Sequence, residues 1–146
     1  MTELAQTRSD PRRFVVLEHH WNGVHWDFMV EVVPGAALRT WAIDARPVAG
    51  KELPARQLPD HRQEYLTFEG NVSGGRGSVR RWDEGTCDVE VWTDDRVILI
   101  LSGGQLTGSA EFWREAGAAG SACAGAASSA GGGTGPSWTF RLGKLS

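Results

Sequence analysis

Short stretches in which apolar and polar residues alternate recur along the chain from residue 13 onward. The first three are FVVLEHH, VHWDFMVEVV and LRTWAID, and they are separated by Asn22-Gly23 and Pro34-Gly35. A period of two between turn residues is typical of β-strands that bury one face. Later segments of the same kind are SVRRWD, CDVEVW, RVILILSG, AEFWRE and WTFRLG.

Helical patterns are weak in this sequence. No stretch as long as an ordinary helix carries apolar residues at the i, i+3, i+4, i+7 spacing, and the chain contains 19 glycines. Many short strands joined by turns favour a barrel or a sandwich. The sequence therefore predicts an all-β fold, a compact antiparallel β-barrel with little helix, in which one short helical turn is accommodated.

Two regions without a strand-like alternation of apolar and polar residues set the predicted domain organisation. Residues 1–12 lack periodicity and contain Asp10-Pro11, so we expect a flexible N-terminal arm. Residues 13–146 then form a single domain. Inside it, residues 115–137 are almost entirely glycine, alanine and serine, which predicts a flexible insertion between the last two strands.

Composition restricts the class of protein. The formal charge is −3 and the pI about 5.8, so there is no general basic surface and any nucleic-acid contact must be local. The N-terminus has no signal-peptide pattern, and the longest apolar run, VILIL, is too short to cross a bilayer. We expect a cytoplasmic protein with no membrane partner, and two reduced cysteines, because no CxxC motif is present.

The candidate chemistry is concentrated in EHHWNGVHWDF, residues 18–28, which contains three of the four histidines. Along the second strand, the period of two places His25 and Asp27 on one face and Trp26 and Phe28 on the other, core-facing side. An imidazole and a carboxylate that project together can share one cation. The hairpin is therefore a candidate metal site.

The third ligand depends on the width of the hairpin turn. A two-residue turn at Asn22-Gly23 would pair His20 with His25 and place both on the metal-binding face. A wider turn, or a bulge at Gly23, would present His19 instead. Strand geometry alone slightly favours His20 and leaves both alternatives open.

Two later segments carry side chains that suit an anionic oxygen. In PDHRQEYLTFEG, His61 precedes Tyr65 by four residues, and both can donate a hydrogen bond to phosphate. In NVSGGRGSVRRW, glycines surround Arg76, and such a loop can form an anion-binding nest. This second segment is the basic patch where a phosphate contact is expected.

Taken together, the segments resemble the 3′-phosphoesterase domain of bacterial DNA ligase D. The resemblance covers roughly residues 13–114 and 138–142. It implies a compact β-barrel and manganese-dependent trimming of DNA 3′ ends, in which a terminal ribonucleoside and then the 3′-phosphate are removed to leave a 3′-hydroxyl. The segments that carry it are FVVLEHHWNGVHWDFMVE, LRTWAIDARP, PDHRQEY, FEG, RWDEG, LSGGQLTG and WTFRL.

The resemblance also implies roles for individual residues. The implied ligands of Mn²⁺, or of another divalent transition metal, are His19, His25 and Asp27, with His20 as the alternative to His19. The implied catalytic residues, which contact the scissile phosphate, are His61 and Tyr65.

The chain departs from the family pattern at two cationic positions. Met29 stands where the family has a phosphate-binding arginine, and Ala45 stands where it has a lysine. Methionine cannot donate a hydrogen bond. The candidates to supply the missing positive charge are Arg46, Arg56 and Arg76.

Three functions follow as hypotheses. The first is a phosphoesterase that acts on DNA 3′ ends, including primer-templates, with ligase, polymerase and end-binding repair activities supplied by separate proteins. The second is a nonhaem iron oxygenase that uses His25, Asp27 and His61 as a facial triad. The third is a noncatalytic descendant that binds DNA ends or a repair partner, suggested by Met29 and the acidic net charge. The phosphoesterase accounts for the most motifs.

Overall fold

The computed structural model describes residues 11–114 and 137–143. Within these ranges one 3₁₀ turn, Gln63–Leu66, accompanies nine strands. The prediction of an all-β chain with one short helical turn is confirmed for these residues. The strands are β1 (Arg12–His20), β2 (Val24–Glu31), β3 (Leu38–Ile43), β4 (Glu52–His61), β5 (Gly70–Asn71), β6 (Ser78–Trp92), β7 (Arg96–Gly103), β8 (Thr107–Trp113) and β9 (Ser137–Leu142).

The predicted arm and insertion fall largely outside the described residues. Residues 1–10 of the arm and 115–136 of the insertion are not described. Arg12, the last residue of the predicted arm, begins β1, and Ser137 begins β9. In the described ranges, no helix has the length and apolar character needed to cross a membrane.

The strands form one sheet that closes on itself. Their order is β1-β2-β3-β4-β9-β8-β7-β6, and β1 also pairs with β6. The two-residue strand β5 adds to the start of β6. All of these strand pairings are antiparallel. Closure pairs the strand edges that an open sheet would expose, and the predicted antiparallel β-barrel is confirmed.

Aromatic side chains fill the barrel interior. Phe14 and Phe28 stack with ring centroids 5.4 Å apart, and Trp41 stacks on Phe112 at 4.0 Å. Phe28 and Val30 of β2 are completely buried in this cluster, as the alternating pattern predicted. Each buried side chain of this size contributes about 1.5–3 kcal/mol. The interior is therefore a packed core.

One long strand replaces two predicted ones. SVRRWD and CDVEVW are both parts of β6, which pairs with β1 over residues 78–87 and with β7 over residues 85–92. The register with β1 shifts at Trp82, which has no partner in that ladder. A bulge bends a strand and increases its twist, so β6 can leave one neighbour for the other and close the barrel.

The sequence did not predict β4, Glu52–His61. Its two prolines lack the N–H that a strand ladder uses, and proline normally argues against a strand. Pro59 lies where the register between β3 and β4 shifts, so no ladder donor is needed there. Pro54 pairs with Thr139 of β9. Pairing with β3 and β9 therefore stabilises β4 as a strand although its prolines disfavour one.

A second apolar cluster covers the outer surface of the barrel beside β1, β2, β3 and β6. We call it the outer cluster, and its buried members are Val15, Leu17, Met29, Leu38, Leu66, Val72 and Val79. The segment between β4 and β6, residues 63–77, covers this part of the barrel wall and supplies Leu66 and Val72 to the cluster. We call this segment the roof. As a result the polar face predicted for β2 is buried, with Asp27 at 3% exposure, Met29 at 1% and Glu31 at 3%.

The buried carboxylate of Glu31 connects this roof to the barrel through hydrogen bonds. Its Oε1 accepts the backbone N–H of Arg13 at 2.8 Å, and its Oε2 accepts the backbone N–H of Gly35 at 2.9 Å and Nε2 of Gln63 at 2.7 Å. Burial raises the pKa of Glu31, but these three hydrogen bonds lower it, and the net pKa lies below the ordinary 4.5. Gln63 opens the 3₁₀ turn, so Glu31 positions the turn that carries Tyr65.

The lowered pKa of Glu31 predicts an acid-dependent loss of stability. Its contribution to the free energy of unfolding is present above the unfolded-state pKa and is lost as the pH falls below about 4.5 through the folded-state value. Glu31→Gln should cost about 1–3 kcal/mol at neutral pH, and the difference from wild type should shrink on acidification. Urea unfolding of both proteins, at several pH values between neutral and acidic, measures this difference in the free energy of unfolding.

Glu52→Gln is the matched control for this experiment. Glu52 is 58% exposed in its side chain and lies 3.9 Å from Arg141, a surface pair of little value. We expect it to match wild type at every pH. A Glu31→Gln deficit that does not change with pH would contradict the assigned role of the charge.

Candidate metal and phosphate site

The turn of the β1–β2 hairpin contains three residues, Trp21–Gly23, so the alternative with a two-residue turn is wrong. His19 pairs directly with His25. Asn22 has φ +57° and Gly23 has φ +105°, in the left-handed region that asparagine and glycine tolerate best. One additional turn residue reverses which side chains share a face, and this places His19 rather than His20 beside His25.

His20 lies on the opposite side of the hairpin. Its side chain is 55% exposed, and its Nε2 is 2.7 Å from Oε2 of Glu18. Arg80 approaches the other oxygen of Glu18 at 3.7 Å. His20 therefore belongs to an exposed charged group, and the structure does not bring this alternative ligand to the cluster.

His19, His25 and Asp27 form a compact group, which we call the His-His-Asp cluster. Their candidate ligand atoms all lie within 4.8 Å of one another. Nδ1 of His19 is 3.2 Å from Oδ2 of Asp27, and Nε2 of His25 is 3.1 Å from Oδ1. His61 is not part of this group, so the His25, Asp27 and His61 triad expected of an oxygenase is not assembled.

The electrostatics of the cluster favour an ionised carboxylate. Burial raises the pKa of Asp27, but the neighbouring imidazoles of His19 and His25 outweigh this effect, and the net pKa is lowered. The pKa of His19 is raised, mainly by its hydrogen bond to Asp27 and against the effect of burial. Asp27 therefore stays negatively charged and can only accept hydrogen bonds or bind a cation.

The orientation of His19 is set by a neighbouring carbonyl. Its Nε2–H donates to the backbone oxygen of Arg76 at 2.8 Å. In the neutral ring the lone pair is then on Nδ1, which faces the carboxylate of Asp27. Two electron-rich atoms 3.2 Å apart repel unless a proton or a metal cation lies between them. A carbonyl that orients the far nitrogen is a common outer partner of a metal-binding histidine.

The residues of the cluster fit a divalent transition metal. Among the described residues, Oδ1 of Asp27 is buried without a hydrogen bond of acceptable geometry, although His25 is near. A buried carboxylate oxygen without a hydrogen bond lowers the stability of the folded state. Two imidazoles and one carboxylate are ligands that manganese, iron and zinc accept. Metal coordination would satisfy this oxygen.

A cavity of about 650 Å³ lies beside the cluster, between the barrel wall and its roof. It brings together residues from the hairpin, β4, the 3₁₀ turn and the loop before β6. Besides the three cluster residues, its lining includes Met29, Arg56, His61, Tyr65 and Arg76. Most of the predicted site residues therefore share one cavity.

His61 is held through one nitrogen. Its Nδ1 donates to the backbone oxygen of Pro59 at 2.8 Å and lies 3.0 Å from Oγ1 of Thr40. Thr40 Oγ1 in turn donates to the carbonyl of Leu38. The ring of Tyr65 packs edge-on against His61 at 5.4 Å. Nδ1 therefore carries the proton in the neutral ring, and Nε2 is the atom available to a ligand.

The three arginine candidates have different positions. Arg56 shares a row with Asp27 across the sheet, because Asp27 pairs with Ala42 and Ala42 pairs with Arg56. Arg76 is exposed, and its guanidinium donates to the carbonyl of Ser73 at 2.8 Å. Arg46 lies in the exposed β3–β4 loop and is not part of the cavity lining. Arg46 is thus not brought to the site.

Several residues of the site were not predicted. Glu31 and Thr40 position the 3₁₀ turn and His61, and Arg62 lines the cavity. Arg62 is directly next to His61 in the PDHRQEY segment, and this adjacency was an available signal. Gln63 lies 32 residues from Glu31 and His61 lies 21 residues from Thr40, so no local pattern reveals these two contacts.

Comparisons with known proteins identify a matching family and similar relatives. The DNA Ligase D 3'-phosphoesterase domain family matches residues 17–114. The multifunctional non-homologous end joining DNA repair protein LigD of Mycobacterium tuberculosis strain H37Rv is 37% identical over 114 residues, 68% of this chain and 14% of that protein. LigD of Pseudomonas aeruginosa is 35% identical over 79 residues, 50% of this chain and 9% of that protein.

The chain thus spans about a seventh or less of the length of these relatives. The family match covers most of the barrel and includes the hairpin, His61 and Tyr65. The resemblance noted from the sequence motifs is confirmed. This chain belongs to the DNA ligase D 3′-phosphoesterase domain family.

Proposed function

We propose that this chain is a metal-dependent phosphoesterase that processes DNA 3′ ends. It would remove a 3′-terminal ribonucleoside and then the 3′-phosphate, leaving a 3′-hydroxyl. The observation that carries the proposal is the convergence of the His-His-Asp cluster, His61 and Tyr65 on one cavity. Family membership and the similarity to non-homologous end joining DNA repair proteins support a DNA end as the substrate.

The cluster would hold Mn²⁺ or another divalent transition metal. When bound, such a metal supplies Lewis-acid activation of a phosphate oxygen and of water. Asp27 contributes the negative charge of the ligand set, and the carbonyl of Arg76 keeps His19 turned toward the site. The low exposure of Asp27 limits competition from solvent.

His61 and Tyr65 would act on the phosphate and its leaving oxygen. The carbonyl of Pro59 orients His61 through Nδ1, so that Nε2–H of the protonated ring can donate a proton to the leaving oxygen. The Tyr65 hydroxyl can donate a hydrogen bond to a phosphate oxygen. Glu31 supports this arrangement because it holds the 3₁₀ turn through Gln63.

Arg56 would supply the positive charge that Met29 lacks. Its backbone lies two strand spacings from that of Asp27, about 10 Å, and an extended arginine side chain covers much of this span. Ala42, which lies between them in the row, is completely buried and has only a methyl side chain, so no long side chain separates Arg56 from Asp27. The guanidinium of Arg76 is already bonded to Ser73, so Arg56 is the better placed cation.

Replacement of Arg56 should therefore impair catalysis. Arg56→Ala is expected to lower kcat/KM for 3′-phosphate removal by roughly 10- to 150-fold, the equivalent of one charge-assisted hydrogen bond of about 1.5–3 kcal/mol. Arg56→Lys should recover part of the loss, because it keeps the charge but not the bidentate geometry. Arg46→Ala, in the exposed loop, is the matched control and should stay within about twofold of wild type. Equal effects of the two alanine variants would refute the assignment.

The proposed function is tested directly with purified protein and a primer-template that ends in a 3′-phosphate or in one ribonucleotide. Conversion to a 3′-hydroxyl in Mn²⁺, and its loss in EDTA, is the expected result on a sequencing gel. If no conversion occurs with manganese, iron or zinc while the end still binds, the chain is a noncatalytic end-binding protein. Met29 is the observation that favours this second candidate.

A further inference from the structure

Trp21 is an exposed aromatic side chain at the metal site. It lies at the tip of the β1–β2 hairpin, is 42% exposed and lines the cavity. Its ring packs against that of His19, with centroids 5.9 Å apart and planes inclined by 25°. Because His19 covers one side of the indole, the exposed area lies on the opposite face and the edge. Of the large exposed hydrophobic residues in the described ranges, Trp21 alone lines the cavity.

The backbone beneath Trp21 is closely packed. A Cβ atom at Gly77 would lie 2.0 Å from the carbonyl oxygen of His20 and 2.8 Å from Cβ of Trp21. The backbone N–H of Trp21 also donates to the carbonyl of Gly23 at 2.9 Å. The hairpin tip therefore lies directly on the loop before β6. A side chain ordered in advance loses little conformational entropy when a ligand binds.

The charge around the indole favours a nucleic acid over an apolar partner. Arg56, Arg62 and Arg76 line the same cavity, against the carboxylates of Asp27 and Asp60, although the chain as a whole carries a formal charge of −3. Arg62 also pairs with Glu64 at 2.7 Å. An aromatic face beside local cations is the combination that binds single-stranded nucleic acid, in which the base stacks and the backbone phosphate meets the positive charge.

We propose that Trp21 stacks on the base of the 3′-terminal nucleotide whose 3′-phosphate lies at the His-His-Asp cluster. This inference rests on the proposed function. The base of a nucleotide is one sugar ring away from its 3′-phosphate, and the indole is one ring-to-ring contact away from the cluster residue His19. Stacking accepts every base, because each has a π-face. Trp21 therefore distinguishes an end that carries a base from an abasic end, without reading its sequence.

The experiment compares two primer-templates with a 3′-phosphate, one with a terminal base and one with a terminal abasic sugar. Wild type, Trp21→Ala, Trp21→Phe and the control Val33→Ala are assayed. Val33 is exposed but does not line the cavity. Trp21→Ala should raise KM on the base-bearing end by roughly 5- to 150-fold, the range for loss of one stacked base. The KM of Trp21→Ala on the abasic end should stay within about twofold of wild type, Trp21→Phe should recover most of the loss, and Val33→Ala should match wild type.

A binding measurement separates this inference from the proposed function. Fluorescence anisotropy with the same labelled ends in EDTA needs no turnover. A preference for the base-bearing end that disappears in Trp21→Ala supports stacking even if no phosphate is ever released. Equal losses on both ends would show that Trp21 only supports His19, and no loss on either would show that it contacts no base. Either result overturns the inference while leaving the phosphoesterase proposal to its own assay.

Discussion

Asp27→Asn is expected to lower the rate of 3′-phosphate removal by at least about a thousand-fold, because metal activation contributes several kcal/mol to such a reaction. Asp27 is the carboxylate of the cluster, and its two oxygens lie 3.2 Å and 3.1 Å from the two histidines. Asparagine preserves the size of the side chain but has no negative charge. Its NH₂ group would also face a ring nitrogen in place of a ligand oxygen. Calorimetric titration with Mn²⁺ should show a matching loss of affinity.

His20→Gln is the matched control for the cluster. His20 is on the same hairpin as Asp27, but it is exposed and pairs with Glu18. We expect its turnover and its Mn²⁺ affinity to stay within about twofold of wild type. Thermal unfolding in EDTA separates misfolding from loss of the metal. A fully active Asp27→Asn, or an equally damaged His20→Gln, would refute the assignment of the ligands.

His61→Ala is expected to lower kcat by roughly a hundred- to ten-thousand-fold, the usual contribution of a positioned general acid. The reason lies in its anchoring: Nδ1 is bonded to the carbonyl of Pro59, which directs Nε2 to the ligand. In the described residues, no hydrogen bond joins His61 to the His-His-Asp cluster. The deficit should therefore appear with Mn²⁺ affinity unchanged. Single-turnover kinetics and calorimetry measure the two quantities independently.

The leaving group decides whether His61 acts as an acid. A primer with a 4-nitrophenyl ester of its 3′-phosphate releases nitrophenolate, which needs no proton. His61→Ala should hydrolyse this ester at nearly the wild-type rate. Tyr65→Phe should be about 10- to 100-fold slower on both substrates, because it loses a hydrogen bond to the phosphate and not a proton donor. A deficit of His61→Ala that is equal on both substrates would rule out proton transfer to the leaving oxygen.

Most strands were predictable because their signal is local. The alternation in FVVLEHH and VHWDFMVEVV reflects which face of a strand is buried, and β1 and β2 follow it. The strand β4 was missed because the local effect of proline contradicts a contact made elsewhere, at a register shift with β3. The prediction divided β6 into two strands for a similar reason, because its continuity depends on successive pairing with β1 and then with β7, including a register shift in each ladder.

The part of the candidate site that lies on one strand was predictable from the sequence, and the part that depends on the turn was not. His25 and Asp27 are two residues apart on one strand, so their shared face follows from the period of two. The choice of His19 over His20 depended on the turn, where the left-handed conformations of Asn22 and Gly23 add one residue. The family spacing pointed to His19, whereas strand geometry alone favoured His20.

Local sequence was enough to predict the fold class, the shared face of His25 and Asp27 and the resemblance to a family, because each depends on neighbouring residues or on motif spacing. Only contacts in three dimensions place Arg56 rather than Arg46 at the cavity and bury Asp27 and Met29 beside the outer cluster. These features arise from strand register and from contacts between distant residues. Their energies depend on three-dimensional packing, which no local pattern encodes.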